Sequence, residues 1–220
     1  MNGLPTVEQS YGVEFVRKGI HLVSLSIPVV YAFIPRATAL AILIPLTMIF
    51  AAADFWRFRH PGLGDLYHRH LGWLLRSHER DHGRKRLNGA TYVLLSACLC
   101  IVIFPKIVVL TAFPILIISD TAAALIGRRY GRHAFLNKSL EGAAAFFLSA
   151  LLVVTFAPKI AYYPAEYLIG AIAALTGTIV ESLPITVDDN LSIPLAVGGA
   201  MWFLYAALLP ALNIFALDIL

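Results

Sequence analysis

The chain has 220 residues, of which 59% are hydrophobic and only 14% are charged, and its formal net charge is +4. A soluble domain has roughly 45–50% apolar and about 25% charged residues. The composition therefore excludes a soluble globular domain, a disordered chain and a disulfide scaffold. It predicts an all-α, polytopic integral membrane protein, and we expect residues 1–220 to form a single transmembrane domain because spans of about 20 residues fill the length.

Seven apolar runs predict about seven transmembrane helices. The runs are Ile20–Ile34, Ala37–Ala53, Ala90–Phe104, Ile107–Ile126, Ala143–Ala157, Ala165–Val180 and Leu191–Leu209. Cys98 and Cys100 lie in the third run, two residues apart and therefore on opposite sides of a helix, where they cannot form a disulfide with each other. We interpret both as small apolar core residues.

The basic residues predict how the chain is oriented in the membrane. All but three of the 17 Lys and Arg residues, the exceptions being Arg36, Lys106 and Lys159, lie on one side of the predicted spans. The others fall in the segments 1–19, 54–89 and 127–142. The positive-inside rule then places the N-terminus and these segments in the cytoplasm. All but two of the 13 acidic residues, Glu166 and Asp218, are on or near the same face.

The first charged cluster lies where the chain enters the first span. Glu14, Arg17, Lys18 and His21 fall within an arc of roughly 100° on a helix. Four ionisable groups on one face favour a functional site. A positive anchor that extends its side chains to the headgroups is the alternative.

The long segment between the second and third runs predicts a cytoplasmic interfacial helix. Apolar residues recur with helical spacing from residue 63 to residue 74, and a basic run that follows would also suit a lipid surface. The segment contains five histidines, which are His60, His68, His70, His78 and His82. No spacing among them supports a zinc site, so we interpret them as interfacial histidines.

Asp120 is an acidic residue within a predicted span, about 9 Å from its cytoplasmic end. Such a group is costly in a membrane unless it is paired or hydrated, and it marks a functional site by default. Small residues continue the same helix face, namely Ala123, Ala124, Gly127 and Gly131. They would let a second helix or a ligand approach the backbone. A buried acid that pairs with a basic residue during assembly is the alternative.

The segment from Lys138 to Gly142 opens the fifth run. Ser139 suits a helix N-cap, and Glu141 suits the first turn of a helix. The same residues also suit a site for phosphates and Mg²⁺ at a helix start. Both interpretations stay open on spacing alone. A Walker A loop is excluded, because that motif has a glycine immediately before its lysine and Lys138 does not.

A last acidic group lies at the cytoplasmic rim of the final two spans. Glu181 ends the sixth run, and Asp188 and Asp189 precede the seventh, followed by Asn190. These residues could simply cap a helix, but acids this close together also suit a Mg²⁺ site.

Taken in order, these motifs resemble those of the CTP-dependent lipid kinases, the dolichol kinase, phytol kinase and yeast-type diacylglycerol kinase group, which is distantly related to the phosphatidate cytidylyltransferases. The block from Asp120 through Gly131 to Lys138, Ser139, Glu141 and Gly142 resembles their CTP-binding block. The N-terminal cluster resembles their first motif. Leu74–Arg76 with Glu79 and Asn88–Tyr92 resembles the central motif, and Glu181 with Asp188–Leu191 and Pro194 resembles the last. Together the motifs run through nearly the whole chain.

The resemblance implies a single transmembrane catalytic domain that uses CTP and Mg²⁺ to phosphorylate a membrane lipid alcohol at the cytoplasmic face, with no nucleic-acid partner. The implied catalytic residues are Asp120, Glu181, His21, Arg17 and Lys18. The implied CTP-binding residues are Gly127, Arg128, Gly131, Lys138, Ser139, Glu141 and Gly142. The implied metal ligands are Asp120, Asp188 and Asp189.

Two other functions remain open at this point. A phosphatidate cytidylyltransferase shares the Asp120 block, although no histidine follows His133, as that enzyme's C-terminal signature would require. A small-solute or ion transporter would place its charged groups near the membrane midplane and would often show an internal repeat. The sequence has no such repeat, and its charges gather at one face.

Overall fold

The computed structural model describes residues 7–59 and 87–219. The described residues are almost entirely helical. The helices are α1 (Val7–Val23), α2 (Ser26–Phe33), α3 (Arg36–Arg59), α4 (Gly89–Ile103), α5 (Lys106–Pro114), α6 (Asp120–Tyr130), α7 (Leu140–Phe156), α8 (Pro164–Ser182) and α9 (Asp189–Leu208). A π-helical segment, Ile115–Ser119, joins α5 to α6, and a short 3₁₀ helix covers Ala216–Ile219. The predicted all-α class is confirmed.

Three helical stretches in the described part of the chain are long and apolar enough to cross a membrane. They are Arg36–Trp56, Lys106–Tyr130 and Asp189–Leu208. Two shorter apolar helices, Gly89–Ile103 and Leu140–Phe156, accompany them. The count of seven spans therefore stays a prediction. The interfacial helix at residues 63–74, the five histidines and the motif residues 74–79 lie outside the described residues.

The stretch Lys106–Tyr130 forms the centre of the bundle. In its apolar segment, 78% of the residues are buried, whereas in the apolar segment of Arg36–Trp56 only 17% are buried. A helix that is apolar on all sides belongs in a core, and Ile107, Ile115 and Leu116 are fully buried. The exposed apolar side chains of α3 would instead face lipid. Cys98 and Cys100 are buried and free, as the sequence predicts.

Two local features depart from a simple run of helices. The first apolar run is interrupted after Val23, so that α1 and α2 are separate helices on either side of Ser24 and Leu25. The second is a two-residue antiparallel hairpin between α6 and α7. Its strands are β1 (Ala134–Phe135) and β2 (Lys138–Ser139).

Polar contacts hold the ends of the helices together. Beside the undescribed loop, Asp54 at the end of α3 accepts hydrogen bonds from the backbone N–H of Asn88 (2.8 Å) and the hydroxyl of Thr91 (2.8 Å). At the opposite end of the bundle, Asp218 accepts from the backbone N–H of Lys106 (2.8 Å) and pairs with Arg36 (3.1 Å). A carboxylate at each end of the bundle thus links elements that are distant in sequence.

Candidate active site

A cavity of about 480 Å³, here called the polar cavity, lies at the end of the bundle where α1, α6, α7, α8 and α9 meet. The residues that line it are acidic, basic or small. They are Glu14, Arg17, Lys18, Asp120, Ala123, Ala124, Gly127, Arg128, Lys138, Ser139, Gly142, Glu181 and Asp189. Residues from three of the four sequence motifs therefore meet at this cavity. Four of the lining side chains are cationic.

The N-terminal cluster contributes one wall of this cavity through α1. Because Glu14, Arg17 and Lys18 are three and four residues apart, one helix face carries all three. Glu14 is only 2% exposed. Its carboxylate pairs with Arg17 (2.5 Å) and with Arg128 of α6 (3.0 Å). This contact joins the N-terminal cluster to the helix that carries Asp120.

Asp120 lies at the junction of the π-helical segment and α6 and is 4% exposed. A π-helical turn changes the rotation of a helix locally, and such turns are frequent at functional sites. The carboxylate accepts a hydrogen bond from Lys18, and His21 Nε2 lies 3.7 Å from Asp120 Oδ2. Asp120 thus has the cationic partner that a buried acid in a membrane helix requires, and it also lines the cavity.

Lys138 reaches the cavity from the hairpin. Its Nζ lies 2.8 Å from Glu181 Oε1 and 3.2 Å from Asp189 Oδ2. Burial alone would lower the pKa of Lys138, but the carboxylates of Asp189 and Glu181 outweigh burial and raise that pKa above its ordinary value. Lys138 is therefore a permanent cation at neutral pH.

The hairpin is held in place from two sides. The backbone N–H of Asn137 donates to the carbonyl of Ser182 at the end of α8 (3.0 Å). Glu141 accepts from the backbone N–H of Arg132 (3.1 Å) and contacts His133 Nδ1 (2.7 Å). Glu141 is thus engaged with the start of the hairpin, and its side chain is not part of the cavity lining.

Ser139 and its glycine neighbours let α6 and α7 approach closely. Ser139 is the N-cap of α7 and accepts from the backbone N–H of Gly142 (3.2 Å). A Cβ at Gly142 would lie 3.3 Å from the Cα of Gly127 and 3.1 Å from Ser139 Oγ. At Gly131 it would lie 2.3 Å from the carbonyl oxygen of Gly127. The small face therefore packs two helices together, and part of it also lines the cavity, whereas the approach of a ligand to it stays a prediction.

The predicted site residues are therefore mostly, but not all, gathered at the polar cavity. Those outside its lining are His21, Gly131, Glu141 and Asp188. His21 approaches Asp120, Gly131 packs against Ser139, and Asp188 caps α9 by accepting from the backbone N–H of Asn190 (3.0 Å). Glu14, which the sequence places in the N-terminal cluster without a catalytic or binding role of its own, also lines the cavity.

Carboxylates and cationic side chains share the wall of the polar cavity. The described residues contain no cluster of three or more His, Cys, Asp or Glu side chains placed to hold a metal by themselves. Mg²⁺ usually binds one or two protein carboxylates together with substrate phosphates. The carboxylates of Asp120 and Asp189 on the cavity wall fit that requirement, and Asp188 is engaged in helix capping.

Relatives of the chain include named lipid kinases. An uncharacterized protein of Rickettsia prowazekii is 31% identical over 190 residues, which cover 86% of this chain and 93% of the relative. A CTP-dependent diacylglycerol kinase of Schizosaccharomyces pombe is 29% identical over 43% of this chain, and a dolichol kinase of the same yeast is 33% identical over 40%. The matched parts are 43% and 17% of those kinases, so the chain spans less than half the length of either one.

No family model matches the chain, and no solved structure matches it. The named relatives are all lipid kinases, and residues from three of the four motifs that resemble theirs meet at the polar cavity. The chain is therefore a distant relative of the CTP-dependent lipid kinases.

Proposed function

We propose that this chain is a kinase that transfers the γ-phosphoryl group of CTP to the hydroxyl of a membrane lipid alcohol at the cytoplasmic face. The observation that carries the proposal is the convergence of Lys18, Asp120, Lys138 and Glu181 on one cavity at the end of a membrane bundle. The names of the related kinases support both the donor and the class of acceptor.

In this proposal the cationic side chains of the cavity bind and orient the triphosphate. Arg17, Lys18, Arg128 and Lys138 approach it from three elements. Phosphoryl transfer depends mainly on positioning and on stabilising charge, so fixed cations at the γ-phosphate lower the barrier directly. Mg²⁺, held by Asp120 and Asp189 with the phosphates, would supply further charge neutralisation.

The lipid hydroxyl then needs a proton acceptor. Its oxygen forms a bond to the γ-phosphorus while the bond between that phosphorus and the bridging oxygen of the β-phosphate breaks, and CDP leaves. Glu181 lines the cavity and is 3% exposed, whereas His21 is outside the lining. We therefore assign the hydroxyl proton to Glu181 and a positioning role beside Asp120 to His21.

The decisive assay uses CTP labelled at either the α- or the γ-phosphate, with the protein reconstituted in lipid nanodiscs and a panel of lipid alcohols. We expect the lipid to be labelled from the γ position alone. Label that enters lipid from the α position would instead identify a cytidylyltransferase, and no lipid label from either position would contradict both activities.

The Asp120→Asn variant tests the site in the same assay. It removes the negative charge that faces Lys18, and we expect kcat to fall by roughly 10²- to 10³-fold, as for other groups that stabilise charge in a transition state. Asp218→Asn is the matched control, because Asp218 lies at the opposite end of the bundle. Unchanged turnover in Asp120→Asn would contradict the assignment.

A further inference from the structure

A second cavity of about 420 Å³, here called the apolar groove, lies between three segments of the bundle. These segments are residues 25–32, 110–118 and 149–158. The lining side chains are apolar except for Ser149, whose hydroxyl donates to the backbone carbonyls of Ala145 (2.7 Å) and Phe146 (3.0 Å). The groove therefore offers a ligand hydrocarbon contact and almost no free hydrogen-bonding group.

The groove begins beside the polar cavity. Ile118 in its lining belongs to the π-helical segment and lies five residues before Ala123, which lines the polar cavity. Ser149 follows Gly142 by seven residues on α7, a rise of about 10 Å. The chain segments that carry Asp120 and Gly142 thus line the polar cavity at one level and the apolar groove at the next.

The groove is also open to the side of the bundle. Leu152 and Phe156 of α7 line it and are 62% and 85% exposed. In a membrane protein such side chains face lipid, so an acyl or prenyl chain can enter from the bilayer. A ligand with a polar head and an apolar tail fits the two cavities together, with its head near Asp120.

We propose that the apolar groove binds the hydrocarbon chain of the acceptor, and that the acceptor is an alcohol with a single chain. This inference rests on the proposed kinase function. A cavity of about 150 Å³ admits one benzene ring, so about 420 Å³ accommodates roughly 17 carbon atoms by proportion. That volume suits one long chain between the walls of the groove, and the second chain of a diacylglycerol would lie outside them.

The first test is binding, without CTP. A long-chain alcohol that carries a photoreactive diazirine in its chain is incorporated with the protein into nanodiscs, irradiated, and the labelled residues are located by mass spectrometry. We expect labelling within residues 25–32, 110–118 and 149–158, and competition by an unlabelled single-chain alcohol. Labelling spread over the exposed face of α3 instead would overturn the proposal.

The second test narrows the groove. Ser149→Phe places a large side chain in it, whereas Thr155→Phe is the matched control on the same helix. Both hydroxyls donate to the carbonyl four residues earlier, but Thr155 is exposed and is not part of the lining. We expect Ser149→Phe to raise KM for a single-chain alcohol about tenfold and to leave KM for CTP unchanged, with no change in Thr155→Phe.

A second narrowing variant guards against misfolding of the first. Ala32→Phe fills the groove from α2, on the opposite wall, and should have the same effect on KM for the lipid. If neither variant alters that KM, the groove does not bind the acceptor chain. If wild-type protein phosphorylates diacylglycerol as efficiently as a single-chain alcohol, the assignment to a single chain is wrong.

Failure of this inference can be told apart from failure of the proposed function. Transfer of γ-label to lipid without any effect of the groove variants would refute the groove and keep the kinase. Photolabelling of the groove in a protein that transfers no label from CTP would refute the kinase and keep the lipid site.

Discussion

Lys138 connects two acidic residues that are far from it in sequence. Its ammonium group lies within ion-pair distance of both Glu181 and Asp189, and its side chain is about one-third exposed. It therefore neutralises these carboxylates when no ligand is bound, and it remains accessible to a phosphate. This arrangement lets one side chain hold α8, α9 and the hairpin together and also serve the proposed chemistry.

We predict that Lys138→Met lowers kcat/KM for CTP by roughly 10²- to 10³-fold, because it removes a fixed cation from the phosphate site. Arg132→Met is the control, since Arg132 is an exposed cation in the same connection and does not line the cavity. Steady-state assays of both variants, with thermal unfolding to verify folding, check the prediction. Equal losses in the two variants would show that only general charge matters.

The sequence predicted residues better than it predicted their partners. The shared faces of Glu14 with Lys18 and of Asp120 with Gly127 follow from helical geometry alone. The contacts between Glu14 and Arg128 and between Lys138 and Glu181 depend on how helices pack. No spacing rule gives that packing, so the part that Glu14 plays in the cavity became clear only in the structure.

At the level of elements, close packing of α6 against α7 shapes the cavity wall. The backbones approach within a few ångströms because Gly127, Gly131 and Gly142 have no side chain. Ser139 lies between them as the N-cap of α7. The glycine spacing that resembles a nucleotide-binding motif is here required for the contact between two helices.

We predict that Gly131→Ala destabilises the protein by about 1–3 kcal/mol, the usual effect of overpacking, and raises KM for CTP. The added methyl group would lie 2.3 Å from the carbonyl oxygen of Gly127 and 2.8 Å from Ser139 Cβ, so the backbone must move. Gly199→Ala is the control, because nothing lies within 4 Å of its Cβ position. Thermal unfolding and CTP kinetics on both variants provide the measurement.

Hydrophobic runs predicted where helices lie but not how each one is interrupted. The break after Val23 falls inside an apolar run, and its local signal is Pro28, which has no N–H to bond the carbonyl of Ser24 in a continuous helix. The π-helical segment before Asp120 also lies among apolar residues. The hairpin was missed because its strands have only two residues each, and the bond from Asn137 to Ser182 helps to hold it in place.

At the scale of the whole molecule, charge is concentrated at the two ends of the bundle. The polar cavity occupies one end, and Arg36, Lys106 and Asp218 form a hydrogen-bonded group at the other. The distribution of basic residues in the sequence predicts that the cavity end is cytoplasmic. This orientation would place the cavity where CTP is available.

We predict that a cysteine at Asn137, on the hairpin, reacts with a membrane-impermeant thiol reagent only from the cytoplasmic side. A cysteine at Thr38, in the first turn of α3, should react only from the opposite side. Both positions are exposed, whereas the native Cys98 and Cys100 are buried and should remain unlabelled. Labelling in intact cells and in inverted vesicles measures the accessibility, and the reverse pattern would contradict the proposed orientation.

Glu166 and Glu181 are both buried acids of α8, but they lie at its opposite ends and have different surroundings. Glu166 is fully buried and accepts hydrogen bonds from the backbone N–H groups of Ile160, Ala161 and Tyr163 and from the hydroxyl of Tyr205. Glu181 faces the polar cavity and Lys138. The first carboxylate therefore closes a loop, whereas the second belongs to the proposed active site.

We predict that Glu166→Gln lowers the free energy of unfolding by about 1–3 kcal/mol, because its amide NH₂ would face donors that need an acceptor. Below the unfolding transition, its kcat should match that of the wild type. Glu181→Gln should show the opposite behaviour, with kcat reduced by roughly 10²- to 10³-fold and little loss of stability, because Lys138 keeps Asp189 as a partner. Thermal unfolding and γ-label transfer, measured on both variants, separate the two roles. If Glu166→Gln abolished transfer while it remained folded, catalysis would depend on both ends of the bundle.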